Sequence, residues 1–186
     1  NDAAAYNNRG YTYGNLGEYQ LAIQDYDKAI QLDPNYVDAY FLRGYAYDEL
    51  GEYERAIQDY DKAIQLDRNY ADAYNNRGYA YSNLGRGESL PSVVAALYER
   101  AIQDYDKAIQ LDPDYADAYK GRGETYYMLA GLTMLRHSFE AAKPIWRLAL
   151  HDYDKIIQLD PNDVLAYSDR ARINWNLDQH QGSIQG

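Results

Sequence analysis

The sequence predicts an all-α protein, a right-handed α-solenoid of stacked helix-turn-helix pairs with two helical insertions on one edge. Three observations lead there. The block AIQDYDKAIQLD occurs at 22–33, 56–67 and 101–112, and self-similarity at a period of roughly 20–50 residues marks repeat architectures. Within each copy, apolar and small residues recur at helical rather than strand spacing. Gly and Pro punctuate the pattern where helices would end.

Taking Ala3 as the first position, the units run 3–36, 37–70, 71–115 and 116–163, and 164–186 is expected to form a C-terminal capping helix. In the first unit, Tyr6, Arg9, Gly10, Tyr13 and Leu16 share one helix face. Gly17 stops that helix, because Gly enters the left-handed conformation at little cost. A second helix carries Tyr19, Ala22, Ile23, Tyr26, Ala29 and Ile30 and ends before Asp33-Pro34-Asn35. Gly10, Ala22 and Ala29 let the helices approach, and Tyr rings fill the space between them.

The motif Tyr6-x-x-Arg9-Gly10-x-x-Tyr13, then Ala22-x-x-x-Tyr26 and Pro34, resembles the tetratricopeptide repeat. It returns as Tyr40, Arg43, Gly44, Tyr47, Ala56 and Tyr60, with Arg68 in place of Pro. It returns again as Tyr74, Arg77, Gly78, Tyr81, Ala101, Tyr105 and Pro113, and as Tyr119, Arg122, Gly123, Tyr126, Ala149, Tyr153 and Pro161. The fifth unit keeps Tyr167 and Arg170. One departure is systematic: Arg9, Arg43, Arg77, Arg122 and Arg170 stand where the family usually has Leu. They could form a row of cations facing a ligand. Their helical register beside the packed Gly and Tyr instead predicts buried stems whose heads pair with the D-Y-D acids of the second helices.

Two stretches break the copying. Residues 86–97 add 11 residues to the third unit, close to three helical turns. Leu97, Val94 and Leu90 step back in phase from Ala101. An N-terminal extension of the second helix by about two turns is expected, starting near Leu90 with Ser89 as cap and Pro91 in the first turn, after an Arg86-Gly87-Glu88 link. In the fourth unit, with its insertion at about 130–148, Ala130 replaces the terminating Gly. The first helix should run on through Leu132, Met134 and Leu135, turn at His137-Ser138, and give way to a second helix starting near Pro144. In the tetratricopeptide array that the resemblance implies, these extensions would be neighbours on one edge. Leu90, Val93, Val94, Leu97, Leu132, Leu135, Phe139, Ile145 and Trp146 would pack there as a satellite core or present a partner-binding patch.

Composition excludes several functions. The net charge of −11 argues against nucleic acid, which needs clustered Lys and Arg. No apolar run of about 18 residues offers a membrane span, and no signal peptide is visible. The absence of Cys fits a reducing, cytoplasmic setting. His137, His151 and His180 lack metal-ligand spacing, and the acids of Asp112-Pro113-Asp114 with Asp117 lack the Gly and distal Glu of a calcium loop. No catalytic constellation, metal site or cofactor is expected. The resemblance implies peptide binding along the first helices, at Asn7, Tyr11, Asn15, Phe41, Tyr45, Glu49, Asn75, Tyr79, Asn83, Lys120, Glu124 and Met128. Asp38, Asp72 and Asp117 add negative charge nearby. A protein or peptide ligand there should be cationic rather than acidic. The function expected is a non-enzymatic binding scaffold with specificity in the insertions. The near-identity of the copies equally suits a structural or consensus-designed array with no natural ligand.

Overall fold

The computed structural model describes residues 2–179. Among these residues there are nine α-helices and no strand: α1 (Ala3–Asn15), α2 (Tyr19–Leu32), α3 (Val37–Glu49), α4 (Tyr53–Leu66), α5 (Ala71–Gly87), α6 (Pro91–Leu111), α7 (Ala116–Arg136), α8 (Phe139–Leu159) and α9 (Val164–Gln179). Each helix packs on its neighbours in sequence, and the odd-numbered helices from α1 to α7 also touch one another along one side. The result is an all-α helical-repeat solenoid. Residues 180–186, including His180 and the rest of the expected cap, lie outside the described residues.

Local chemistry sets the helix ends. Gly17 and Gly51 take φ of 76° and 75° after α1 and α3, so Glu18 N and Glu52 N can each bond back to a carbonyl inside the helix at 2.9 Å. Between helix pairs, a carboxylate does what proline was expected to do. Asp33, Asp67, Asp112 and Asp160 each accept the backbone N–H two residues on, at 2.9–3.1 Å. The turn therefore survives at Arg68. Asp112 is committed to this turn, and Asp114 pairs with Lys155.

The glycines of the first helices are points of close approach. A Cβ at Gly44 would fall 2.8 Å from the Tyr60 ring, and Gly10 stands in the same relation to Tyr26. Tyr26, Tyr60, Tyr105 and Tyr153 are almost wholly buried, so four rings of identical register form the core between helix pairs.

The systematic arginines are paired, as expected. Arg43 sends Nε and Nη2 to Asp59 of its own unit, at 2.7 and 2.6 Å, and Nη1 to Asp27 of the preceding unit. Arg77 joins Asp104 and Asp61 in the same way, and Arg122 joins Asp152 and Asp106. Among the described residues the ends of the ladder are half-rungs: Arg9 pairs with Asp25 and Arg170 with Asp154. Exposure follows, at 15–18% for the three interior arginine side chains and 59% and 38% for Arg9 and Arg170. Each guanidinium also lies 5.4–5.7 Å from the ring centroid of the Tyr three residues before it. Burial opposes the charge on Arg43, Arg77 and Arg122, yet the paired carboxylates outweigh it and hold these groups above the usual arginine range. Burial likewise pushes the Asp59, Asp104 and Asp152 carboxyls up, and the two-point hydrogen bonds and charge of the arginines act against the rise.

The insertions lengthen both helices of their units. α5 has 17 residues against 13 in α3, and α6 has 21 against 14 in α4. This corrects two expectations. Arg86 and Gly87 are helical rather than a link, because Gly85 does not stop α5 but packs on Tyr98, where a Cβ would lie 2.6 Å from the ring. Ser89 does not cap α6: the cap position is Leu90, the helix begins at Pro91, and the Glu88 carboxylate accepts the Ser89 and Leu90 N–H groups. α7 does run to Arg136, with the turn at His137-Ser138. The start of α8 near Pro144 is overturned. α8 begins at Phe139, capped by Ser138 Oγ, with Pro144 inside it. Burial explains why: Trp146 is 3% exposed and Phe139 lies 5.7 Å from it, centroid to centroid. Pro144 and Glu140 both face solvent, so water can take the carbonyl that proline leaves unbonded.

Two outcomes follow from this packing. Arg77→Ala should cost about 3–5 kcal/mol, because it leaves Asp104 buried and unpaired, whereas Asp61→Ala, at the exposed end of the same rung, should cost less than about 1 kcal/mol. Trp146→Ala should cost about 3–5 kcal/mol. Urea unfolding of the three variants checks both.

Candidate functional site

The first helices of successive pairs build a groove. One cleft of ≈ 520 Å³ is lined by Tyr11, Gly14 and Asn15 of α1, by Phe41, Leu42 and Tyr45 of α3, and by Asp72 and Asn76 of α5, with Tyr19, Tyr26 and Tyr115. A second, of ≈ 480 Å³, is lined by Tyr45, Asp48 and Glu49 of α3, by Asn75, Asn76, Tyr79 and Arg86 of α5, and by Asp117, Lys120, Gly121 and Glu124 of α7, above Tyr105. Tyr45 and Asn76 belong to both, so the clefts are parts of one groove. The helical period causes this: positions 34 residues apart in the copies stack into a line, as Tyr11, Tyr45 and Tyr79 do. All three are exposed.

Most residues expected in the groove line it. Tyr11, Asn15, Phe41, Tyr45, Glu49, Asn75, Tyr79, Lys120 and Glu124 do so directly. Met128 lines an adjoining hollow with Arg86, Glu124, Tyr127, Asp169 and Arg172. Asn7 is buried and Asn83 half-buried, and neither is among the lining residues. Sequence reasoning missed Asp48, Asn76, Arg86 and Tyr115. Asp48 had a signal, for it breaks the copy where the first and third units have Gly14 and Ser82. Arg86 had one too, as the first residue of the insertion. Because α5 continues past Gly85, Arg86 reaches Glu124 at 3.2 Å, Asn83 at 3.1 Å and the Met128 sulfur at 3.2 Å.

Charge is uneven in the groove. Asp48, Glu49, Asp117 and Glu124 face Arg86 and Lys120 in the ≈ 480 Å³ cleft. Some of these acids are engaged: Tyr19 donates to Glu49 at 3.1 Å and Arg86 to Glu124 at 3.2 Å, and in the other cleft Tyr115 donates to Asp72 at 2.5 Å. Asp48 accepts the Tyr60 hydroxyl on Oδ2 at 2.7 Å, and its Oδ1 has no partner. Burial pushes the Asp48 carboxyl up to about 7, with the Tyr60 hydrogen bond acting against the rise and Glu49 adding to it.

The insertion edge divides into two environments. Trp146 and Val94 are buried, so they serve packing and cannot be surface anchors. Leu97, Leu132, Phe139 and Ile145 are half-buried, with Phe139 and Ile145 packed on the core of α8 and α9. Leu90, Val93 and Leu135 are exposed, Leu135 at 82%. A shallow cleft of ≈ 250 Å³ between the extended ends of α6, α7 and α8 is lined by Ala95, Leu129, Leu132, Arg136 and Ile145, among others. Among the described residues, no three His, Cys, Asp or Glu side chains converge as metal ligands, and no helix is long and apolar enough to cross a membrane.

Stacked helix pairs with a groove along their first helices define a helical-repeat protein. The chain belongs to the tetratricopeptide repeat family: models described as tetratricopeptide repeat match residues 3–36 and 25–58, and a TPR repeat model matches 46–85 and 98–129. No curated protein sequence matches the chain. Among solved structures, MamA superposes with a TM-score of 0.74 at 23% identity, over 98% of this chain and 86% of that one. The first TPR of Spaghetti (RPAP3) bound to the HSP90 peptide SRMEEVD gives 0.62 at 28% identity, over 69% and 94%. The second TPR domain of human RPAP3 with the HSP70 peptide SGPTIEEVD gives 0.59 at 28%, over 66% and 93%.

The Asp48 carboxyl carries a pH dependence. Its folded value of about 7 lies above the unfolded 3.8, so between these values the folded state binds the extra proton. Stability from this group should fall as pH rises through that window. Asp48→Asn should therefore stabilise the chain by about 1–3 kcal/mol above pH 7 and by little below pH 4, as denaturant unfolding across pH would record.

Proposed function

We propose that the chain is a non-enzymatic scaffold that binds a protein or peptide segment in the groove of α1, α3, α5 and α7. The observation that carries this reading is the continuity of the two clefts through Tyr45 and Asn76. Exposed Tyr rings beside Asn amides offer large rigid contacts and adaptable hydrogen bonds. Two structural neighbours hold peptides, and both of those peptides end in the acidic run EEVD. The wall charge here runs the other way, which supports a cationic segment. The insertions contribute specificity twice in this proposal. They bring Arg86 into the groove, and they raise Leu90, Val93 and Leu135 on the neighbouring edge.

Fluorescence anisotropy with three labelled peptides tests this: a lysine-rich one, a neutral one and SRMEEVD. The lysine-rich peptide should bind best and weaken at about 0.5 M salt, where screening is short-ranged. Tyr79→Ala should cost about 1–2 kcal/mol of affinity with unchanged melting. Tightest binding of SRMEEVD would reverse the charge reading. Loss of binding on Leu135→Asp, with none on Tyr79→Ala, would move the site to the insertion edge.

A further inference from the structure

Five aspartates among the described residues are buried: Asp25, Asp48, Asp59, Asp104 and Asp152. Four of them are each met by two nitrogens of one arginine. Asp48 is the exception. It is 9% exposed, no Lys or Arg pairs with it, and its Oδ1 is unbonded while Tyr60 holds Oδ2. A buried carboxylate with half its bonds missing lowers stability. The fold does not require an acid there, since the same register holds Gly14 in the first copy and Ser82 in the third. Unlike the four paired acids, Asp48 lines the groove.

We propose that Asp48 anchors a subsite for a lysine or arginine side chain of the bound segment. An ammonium or guanidinium entering from the cleft supplies the missing donor, and a charge-assisted bond is roughly twice as strong as a neutral one. Glu49 lines the same cleft and adds to the attraction, while Glu124 is paired with Arg86. Tyr45 and Tyr79, both exposed, offer ring faces to the aliphatic stem and its charged head. A bare metal ion fits less well, because no three ligating side chains converge among the described residues. The subsite rests on the groove reading and gives it a specific chemistry.

The test titrates the full chain with a blocked peptide carrying one central lysine, and with its norleucine counterpart, following backbone amide shifts. The lysine peptide should bind about tenfold more tightly than the norleucine peptide. Asp48→Asn should abolish that difference. Asp48→Ser, carrying the residue of the third copy, should do the same and guards against misfolding of the first variant. A lysine preference that survives both substitutions, or equal binding of the two peptides to the unaltered chain, overturns the subsite and leaves the groove standing. Absence of shifts in α3, α5 and α7 with either peptide overturns both.

Discussion

The arginine–aspartate ladder is the constraint on which the rest of the structure depends. Each interior arginine ties three helices together: its own, the second helix of its unit and the second helix of the unit before. The backward link always spans 16 residues, from Asp27 to Arg43, Asp61 to Arg77, Asp106 to Arg122 and Asp154 to Arg170. The forward link is 16 in the first two units but 27 and 30 in the units that carry insertions. Whatever enters a unit must return the second helix to the same rotation and height, or a buried aspartate loses its cation. Near-whole helical turns satisfy that requirement, and an irregular loop satisfies it only by chance.

That constraint shapes the insertion edge. In both units the added length is spread over two antiparallel helices, so the extra turns pack on each other instead of projecting singly. The fourth unit gains most, since Trp146, Ala142 and Ala130 join Tyr153, Ile156, Ile173 and Leu177 in one cluster. Burying a Trp ring contributes more than the single helix bond that Pro144 removes, and so the helix runs through the proline. The buried indole Nε1 has no partner, a residual cost of the same arrangement.

The groove follows from the ladder in a different way. With arginines and Tyr rings consumed in holding the units in register, the remaining positions on the groove side of the first helices are freer to vary. There the copies diverge: Asn7, Phe41, Asn75 and Lys120 are alternatives in one line, and Gly14, Asp48 and Ser82 in another. The charge of the groove is the chain's own.

Sequence alone determined the helical repeats and the arginine pairing, because a 34-residue period makes equivalent positions stack and lets chemistry be read down a column. Tyr11, Tyr45 and Tyr79 were legible for that reason, and so were Arg43 with Asp59. Where the copying stops, local rules had to stand alone. They misplaced the start of α8 at Pro144, the cap at Ser89 and the end of α5 at Gly85. At each of these positions another contact overrode the signal: the Trp146 core, the Glu88 carboxylate within its own loop, and the Tyr98 ring of the facing helix. Only tertiary structure could decide the state of Asp48. Unlike Asp59 it lies outside the repeated D-Y-D block, and its burial beside Tyr60 at the wall of the groove is a property of the packed helices and not of the residue.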